Sequence, residues 1–129
     1  MSIAYNVAEG GNKIMCFPKG ALNLEDITGY FERLVNDDNI KPGALEIVHF
    51  DNGQDFQFGH DECKTITGSY RQVKERRNIK ATIFVCGSTF AFGMARMLQT
   101  FFEMNVPGHK VFLVKGKDEL PKVIDQLND

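Results

Sequence analysis

The sequence has only three cysteines, almost no net charge and no long apolar run, and each shortage excludes a class of protein. Three cysteines without a Cys-x-x-Cys spacing fit neither a disulfide framework nor a zinc site. Fifteen basic and seventeen acidic residues give a net charge of −2, which lacks the basic footprint of a general nucleic-acid binder. We therefore expect three free thiols, no zinc and no nucleic-acid partner.

Membrane and export signals are also missing. The most apolar stretch, Thr82 to Met104, is interrupted by glycine, serine and charged residues and falls short of about 18 uninterrupted apolar residues. The first ten residues show no basic start followed by an apolar run, so no secretory signal is predicted. We expect a cytoplasmic protein that does not associate with membranes.

What is present is the composition of an ordinary globular domain. The 129 residues are 43% hydrophobic and 25% charged, which excludes disordered and coiled-coil classes. This length suits one domain over residues 1–129. Two strand-like runs, Ile3–Ala8 and Lys13–Phe17, flank Gly10-Gly11 and predict an opening hairpin. Asn23 can then cap a helix with one apolar face.

The rest of the chain alternates between strand and helix patterns. Further strands are predicted at Ala44–Phe50, Lys80–Cys86 and Lys110–Val114, and further helices from about His60 to Arg77, from Phe90 to Asn105 and from Asp118 to the terminus. The order β-β-α-β-α-β-α-β-α predicts an α/β domain with a mixed sheet, antiparallel at the hairpin and parallel elsewhere. Ligands of such sheets favour the loops after the carboxyl ends of the strands.

This element order and length, the run Ile79–Val85 and the following Phe90–Met97 together resemble the STAS-like group, the fold of bacterial anti-sigma-factor antagonists and of the cytoplasmic ends of sulfate transporters. The resemblance spans nearly the whole chain and implies a non-enzymatic switch or docking module. In the antagonists, a serine at the start of the helix after the third strand is phosphorylated. The matching stretch, Phe56–Cys63, has no serine or threonine, so the resemblance implies a branch that lacks this switch.

Two catalytic or metal-binding readings are open to test. Cys63 near a helix start, with His60 or His49 as a base, could form a thiolate nucleophile. Alternatively, a free cysteine on an apolar stripe is a small core residue. His49, Asp51, His60 and Asp61 are residue types that bind metals, but their spacing fits no known ligand pattern. We expect no catalytic residue, no metal and no cofactor.

The segment Gly87–Thr89 joins an apolar strand to a helix, where backbone N–H groups could receive an anion. Capping of that helix by Ser88 or Thr89 is the simpler interpretation. Phe56 and Phe58 fall in a predicted loop, where they either tuck under the second helix or anchor a partner. The docking surface of the resembled family lies along this edge, which favours partner contact.

The third helix carries more apolar side chains than one stripe requires. These are Phe90, Phe92, Met94, Met97, Leu98, Phe101, Phe102 and Met104. The surplus predicts either a homodimer interface or a groove for a lipid-like ligand. Burial beneath the final helix is the alternative. Arg96 in this helix could pair with an acidic group or remain solvated.

The sequence therefore predicts a non-catalytic interaction or regulatory domain that forms a homodimer and binds a protein partner. A carrier or sensor of a small apolar or amphipathic ligand is the alternative. The candidate partner- or ligand-binding residues are Asp51, Phe56, Phe58, His60, Cys63, Ser88, Thr89, Phe92, Arg96 and Met97.

Overall fold

Strands and helices alternate through residues 3–128, the part of the chain that the computed structural model describes. The strands are β1 (Ile3–Ala8), β2 (Lys13–Pro18), β3 (Ala21–Asn23), β4 (Leu45–Phe50), β5 (Asp55–Gln57), β6 (Ala81–Cys86) and β7 (Lys110–Val114). The helices are α1 (Leu24–Val35), α2 (His60–Arg77), α3 (Thr89–Asn105) and α4 (Leu120–Asn128). The predicted order of main elements is confirmed.

Five strands form one mixed sheet in the order β1-β2-β4-β6-β7. Strand β1 is antiparallel to β2, and every other neighbouring pair is parallel, as predicted. Strand β6 lies between β4 and β7 and is buried along its whole length, which its continuous apolar sequence anticipated. The parallel register sets Glu46 of β4 opposite Thr82 of β6.

A second, two-stranded sheet was missed from the sequence. Strands β3 and β5 pair in parallel, with Leu22 opposite Phe56. The prediction of a loop at Asp55–Gln57 is therefore wrong. A three-residue strand is too short to show an alternating pattern, and here its pairing is supported by the Gln54 side chain, whose amide donates to the carbonyl oxygen of Gly20 at 2.8 Å.

The helices are divided unequally between the two faces of the main sheet. Alternate residues of β4 and β6, such as Val48 and Phe84, pack with α1, α2 and α3. The intervening residues, such as Ile47 and Ile83, pack with α4 on the opposite face. The alternative that the final helix buries α3 is therefore wrong, because the sheet separates the two helices.

The hairpin turn between β1 and β2 depends on glycine. Glu9, Gly10 and Gly11 all have positive φ angles, of 51°, 65° and 100°. A Cβ atom on Gly11 would lie 2.5 Å from the carbonyl oxygen of Asn39, so a larger residue could not be accommodated without movement of the backbone. The predicted Gly-Gly turn is confirmed, and glycine is required there by both conformation and contact.

Side chains from two helices contact the outermost strands of the main sheet. Arg33 of α1 donates from Nη2 to the carbonyl oxygen of Ile3 in β1 at 2.6 Å. Gln99 of α3 donates from Nε2 to the carbonyl oxygen of Val111 in β7 at 2.8 Å. Each edge strand is thus tied to the helix layer by a polar contact. No helix within residues 3–128 is long and apolar enough to cross a membrane.

Candidate functional site

A line of phenylalanine rings runs from the core to the surface at the carboxyl end of the sheet. Phe84 stacks on Phe50 with 5.3 Å between ring centroids, and Phe50 meets Phe56 at 5.0 Å. Phe56 in turn contacts Phe90, the first apolar residue of α3, at 5.8 Å. Phe90 is 65% exposed. The cluster therefore ends in an aromatic ring that its own chain leaves largely in water.

Helix α3 continues this apolar surface along its length. Phe90, Met97 and Met104 are spaced by seven residues, or two helical turns, and so lie on one side of the helix. Phe90 and Met104 are the exposed large hydrophobic residues of the described chain, at 65% and 64%, and Met97 is half-buried between them. We call these three residues the α3 strip.

The opposite side of α3 belongs to the core. Ala91, Ala95, Leu98, Phe101 and Phe102 are all buried against the sheet and α2. One helix therefore carries a complete core face and a separate apolar strip. The surplus predicted from the sequence is confirmed for Phe90 and Met104, which are exposed. Met97 is half-buried against the core, and Leu98, Phe101 and Phe102 are enclosed within the protomer.

Ser88 and Thr89 stand at the start of α3, beside a pocket of about 320 Å³ that Phe92 and Lys115 also line. The Ser88 hydroxyl accepts a hydrogen bond from the backbone N–H of Ala91 at 3.1 Å, so Ser88 caps the helix as its sequence position predicts. Lys115 places its ammonium group 5.5 Å from the centroid of the half-buried Phe92 ring. The pocket is polar on one side and aromatic on the other.

His60 and Asp51 are exposed at the same end of the sheet, whereas Cys63 is not. His60 is the first residue of α2 and sets its ring edge-on to Phe101, with 4.8 Å between centroids. Cys63 is fully buried one turn later. Burial, followed by the nearby Glu62 carboxylate, raises the pKa of the Cys63 thiol to about 11. Desolvation and a like charge therefore oppose ionisation of this thiol, which disfavours Cys63 as a nucleophile.

The four residues considered for a metal site do not converge. His49 and the helix α2, which carries His60, lie on opposite faces of the sheet. The His49 ring stacks on the Phe17 ring with 4.9 Å between their centroids. Both ring nitrogens of His49 are buried without a hydrogen-bond partner, and burial lowers the pKa of this side chain. Within residues 3–128, no group of three or more histidine, cysteine or acidic side chains is arranged to hold a metal ion.

A buried carboxylate that sequence reasoning missed lies toward the amino-terminal ends of β4 and β6, on the side of the sheet covered by α1 and α2. Glu46 accepts hydrogen bonds from the hydroxyls of Tyr30 at 2.6 Å, Tyr70 at 2.8 Å and Thr82 at 2.7 Å. The Thr82 hydroxyl also contacts Nε2 of His109 at 2.8 Å. Burial raises the pKa of Glu46, while the three hydroxyl donors act in the opposite direction. The signal available in the sequence was a lone carboxylate in an otherwise apolar strand.

A small apolar void of about 50 Å³ lies next to this network. Its lining is apolar apart from the residues of the network, and it includes Leu22 and Phe58 from the segments around the small β3–β5 sheet. Ligand pockets for drug-sized molecules have volumes of about 300–1,000 Å³. The void as it stands is therefore too small for a lipid.

The ten candidate residues divide by exposure. Phe58 and Cys63 are buried, so neither contributes to an exposed surface of the protomer. The exposed or half-buried residues are Asp51, Phe56, His60, Ser88, Thr89, Phe92, Arg96 and Met97. All three cysteines are free and buried, as expected for structural thiols.

No protein-family model matches this sequence, and the searches of curated proteins and of solved structures gave no significant match. The fold itself defines the class of protein: a single α/β domain with a mixed, mostly parallel five-stranded sheet. Its exposed aromatic and methionine surface, described above, is the feature on which a functional proposal can rest.

Proposed function

We propose that this chain is a STAS-like interaction module without catalysis, which associates with a second copy through α3 and binds a protein partner at the carboxyl end of the sheet. The topology supports the STAS-like assignment, because an antiparallel opening hairpin is followed by parallel strands joined by helices. The observation that carries the proposal is the α3 strip, in which Phe90 and Met104 are about two-thirds exposed.

The strip is difficult to explain within one protomer. Burying a side chain of this size contributes roughly 1.5–3 kcal/mol to the stability of a protein. The buried residues on the core face of α3 make this contribution, whereas Phe90 and Met104 do not. The final helix, which could have covered the strip, packs on the other face of the sheet. Exposed apolar side chains aligned along one helix are compatible with a protein interface, and methionine adapts to varied apolar surfaces.

Sedimentation equilibrium of the full chain up to high micromolar concentration tests the self-association. We expect the wild type to form dimers, and we expect the double variant Phe90→Ser with Met104→Ser to be monomeric while keeping its circular dichroism spectrum. Lys64→Ser, an exposed change on α2, is the control and should leave the dimer intact. A wild type that remains monomeric at every concentration contradicts the proposed self-association.

The partner surface comprises the exposed residues at the carboxyl end of the sheet, with Phe56 and His60 at its centre. Phe56 joins the aromatic cluster, and His60 begins α2 beside it. A photo-cross-linking residue at position 60 should trap a protein that, once identified and purified, binds the wild type at least about tenfold more tightly than Phe56→Ser. Equal affinity of that protein for both forms would contradict this surface.

A carrier of a small apolar ligand is the second candidate, favoured by the apolar void beside Glu46. Its volume of about 50 Å³ would have to increase several-fold, by movement of the segments that carry Leu22 and Phe58, to admit an amphipathic molecule. Native mass spectrometry of freshly purified protein separates the two candidates. A co-purifying lipid favours the carrier, and a ligand-free dimer favours the interaction module.

A further inference from the structure

We propose that α3 pairs with α3 of a second copy in an antiparallel orientation, in which Arg96 of each protomer forms an ion pair with Glu103 of the partner subunit. This inference rests on the proposed self-association and adds to it the orientation and register of the two helices. Three features of α3 support it: the spacing of its exposed residues, their sizes, and the position of its two charges.

The exposed residues follow the spacing of a helix-pairing seam. Gly93 and Thr100, both exposed, lie between the residues of the α3 strip, so the seam reads Phe90, Gly93, Met97, Thr100 and Met104. The intervals of three, four, three and four residues are those of the a and d positions in helices that pack along their length. A second helix could therefore contact α3 over most of its 17 residues, a length of about 25 Å.

The sizes of these side chains are complementary in the antiparallel orientation. If Met97 faces Thr100 of the partner subunit, the same register sets Met104 against Gly93 of the partner subunit, so a large side chain meets a small one in both pairs. Phe90 then lies just beyond the paired segment of the two helices. A Cβ atom added to Gly93 would have no atom of its own chain within 4 Å. Packing inside the protomer therefore does not require a glycine there, although glycine weakens a helix relative to alanine.

The charges of α3 are also complementary in this orientation. Arg96 and Glu103 are the charged residues of the helix, both are exposed, and neither forms an ion pair with another residue within the described range 3–128. Each lies directly before a strip residue, on the same flank of the seam. When two such helices run antiparallel, this flank faces its own counterpart, and Arg96 then lies opposite Glu103 of the partner subunit. In a parallel pair this flank would instead face the other flank of the partner helix, so Arg96 and Glu103 would not meet.

One helix from each protomer gives an interface at the small end of the known range, below about 1,200 Å². We therefore expect a dissociation constant in the micromolar range rather than an obligate dimer. Because α3 begins at the carboxyl end of the sheet, the antiparallel pair directs the two partner surfaces to opposite ends of the dimer. Two partner molecules could then bind without contacting each other.

Charge reversal tests the register. Arg96→Glu and Glu103→Arg should each weaken dimerisation at least about tenfold, because each creates like-charge pairs twice in the symmetric dimer. The double variant, which restores opposite charges, should recover most of the wild-type affinity. Lys64→Glu, on the exposed surface of α2, is the matched control. Single variants that dimerise as tightly as the wild type, or a double variant that stays monomeric, would overturn the proposed register.

Cross-linking tests the orientation independently. We would mix Arg96→Cys and Glu103→Cys proteins and treat them with a short thiol-specific cross-linker, because the three natural cysteines are buried. The mixture should form cross-linked dimers faster than either variant alone. Cross-linking that is no faster in the mixture than in either variant alone would contradict the proposal.

The result also distinguishes this inference from the function on which it rests. A wild type that stays monomeric rejects self-association altogether. A second outcome is that the wild type dimerises, Phe90→Ser with Met104→Ser abolishes the dimer, and charge reversal has no effect. This outcome would support the proposed function and contradict the antiparallel register. Gly93→Leu should weaken the dimer without destabilising the protomer, since its Cβ position is open.

Discussion

Tyr70 of α2 donates a hydrogen bond to Glu46 of β4 at 2.8 Å, with both residues buried and 24 positions apart in the chain. This contact joins the helix layer to the centre of the sheet through a carboxylate that water does not reach. A buried carboxylate of this kind is tolerated only when its oxygens are satisfied, and here three hydroxyls share that task.

Tyr70→Phe should therefore destabilise the protein although it removes a single oxygen. The change leaves Glu46 with two donors, and loss of a partner for a buried polar group costs about 1–3 kcal/mol. The measurement is the free energy of unfolding in urea. Tyr5→Phe is the matched control, because the Tyr5 hydroxyl donates to Asp37 in a partly exposed position. We expect a loss below about 1 kcal/mol in the control, and equal losses would contradict the special role of Glu46.

His109 makes the fold sensitive to acid. Burial, followed by the nearby charge of Lys74, lowers the pKa of His109 to about 4 from an ordinary value of 6.5. Since the folded-state pKa is depressed, the stabilisation associated with neutral His109 is complete above pH 6.5. It is lost as the pH falls from 6.5 towards 4, by an amount on the order of 3 kcal/mol.

The variant His109→Gln should show a smaller loss of unfolding free energy between pH 7 and pH 4.5 than the wild type does. The substitution also changes the contact with Thr82, which alters the unfolding free energy at pH 7. The quantity to compare is therefore the slope of the unfolding free energy with pH. His60→Gln, at an exposed position, should leave the wild-type slope unchanged. A His109→Gln protein with the wild-type slope would show that another group controls the acid sensitivity.

The two sides of α3 should respond differently to truncation. Leu98 is 5% exposed, and Leu98→Ala should lower the unfolding free energy by about 2–5 kcal/mol through lost contacts and a cavity. Met104 is 64% exposed, so Met104→Ala should change protomer stability by no more than about 0.5 kcal/mol. The measurement is urea unfolding at a protein concentration low enough to keep each variant monomeric, so that only protomer stability is compared. A large loss for Met104→Ala would mean that the strip is part of the core.

The natural thiols should be nearly inert in the folded protein. Burial raises the pKa of Cys63 and of Cys86 to about 11, and it raises the pKa of Cys16 further still. We expect iodoacetamide at neutral pH to label the folded chain at least about tenfold more slowly than free cysteine, and to label all three thiols in denaturant. Arg96→Cys supplies an accessible thiol as a positive control. Rapid labelling of Cys63 in the folded wild type would revive the nucleophile hypothesis.

Much of the fold was predictable because its main elements carry clear periodic patterns. The helix start at Ser88 and the glycine turn at Gly10 were each indicated by the conformational preferences of a few neighbouring residues. Strand β5 was not predictable, because its three residues pair only through the distant β3. Local pattern cannot reveal a partner that lies more than thirty residues away.

The candidate site was predictable only in part, for a similar reason. The sequence indicated that α3 carries surplus apolar residues, yet it could not decide which of them face the core, since that depends on where α2 and the sheet lie. Phe58 and Cys63 illustrate the same limit, because the sequence left open whether each faces the core or a partner, and both are enclosed. The hydroxyls that satisfy Glu46 come from three separate elements.

The contacts of Arg33 with Ile3 and of Gln99 with Val111 bear on how this protein can aggregate. A foreign strand that tried to extend the sheet at either end would compete with a side chain already bonded to the outer backbone. Each of these two contacts would have to break before a foreign strand could use the same backbone oxygen.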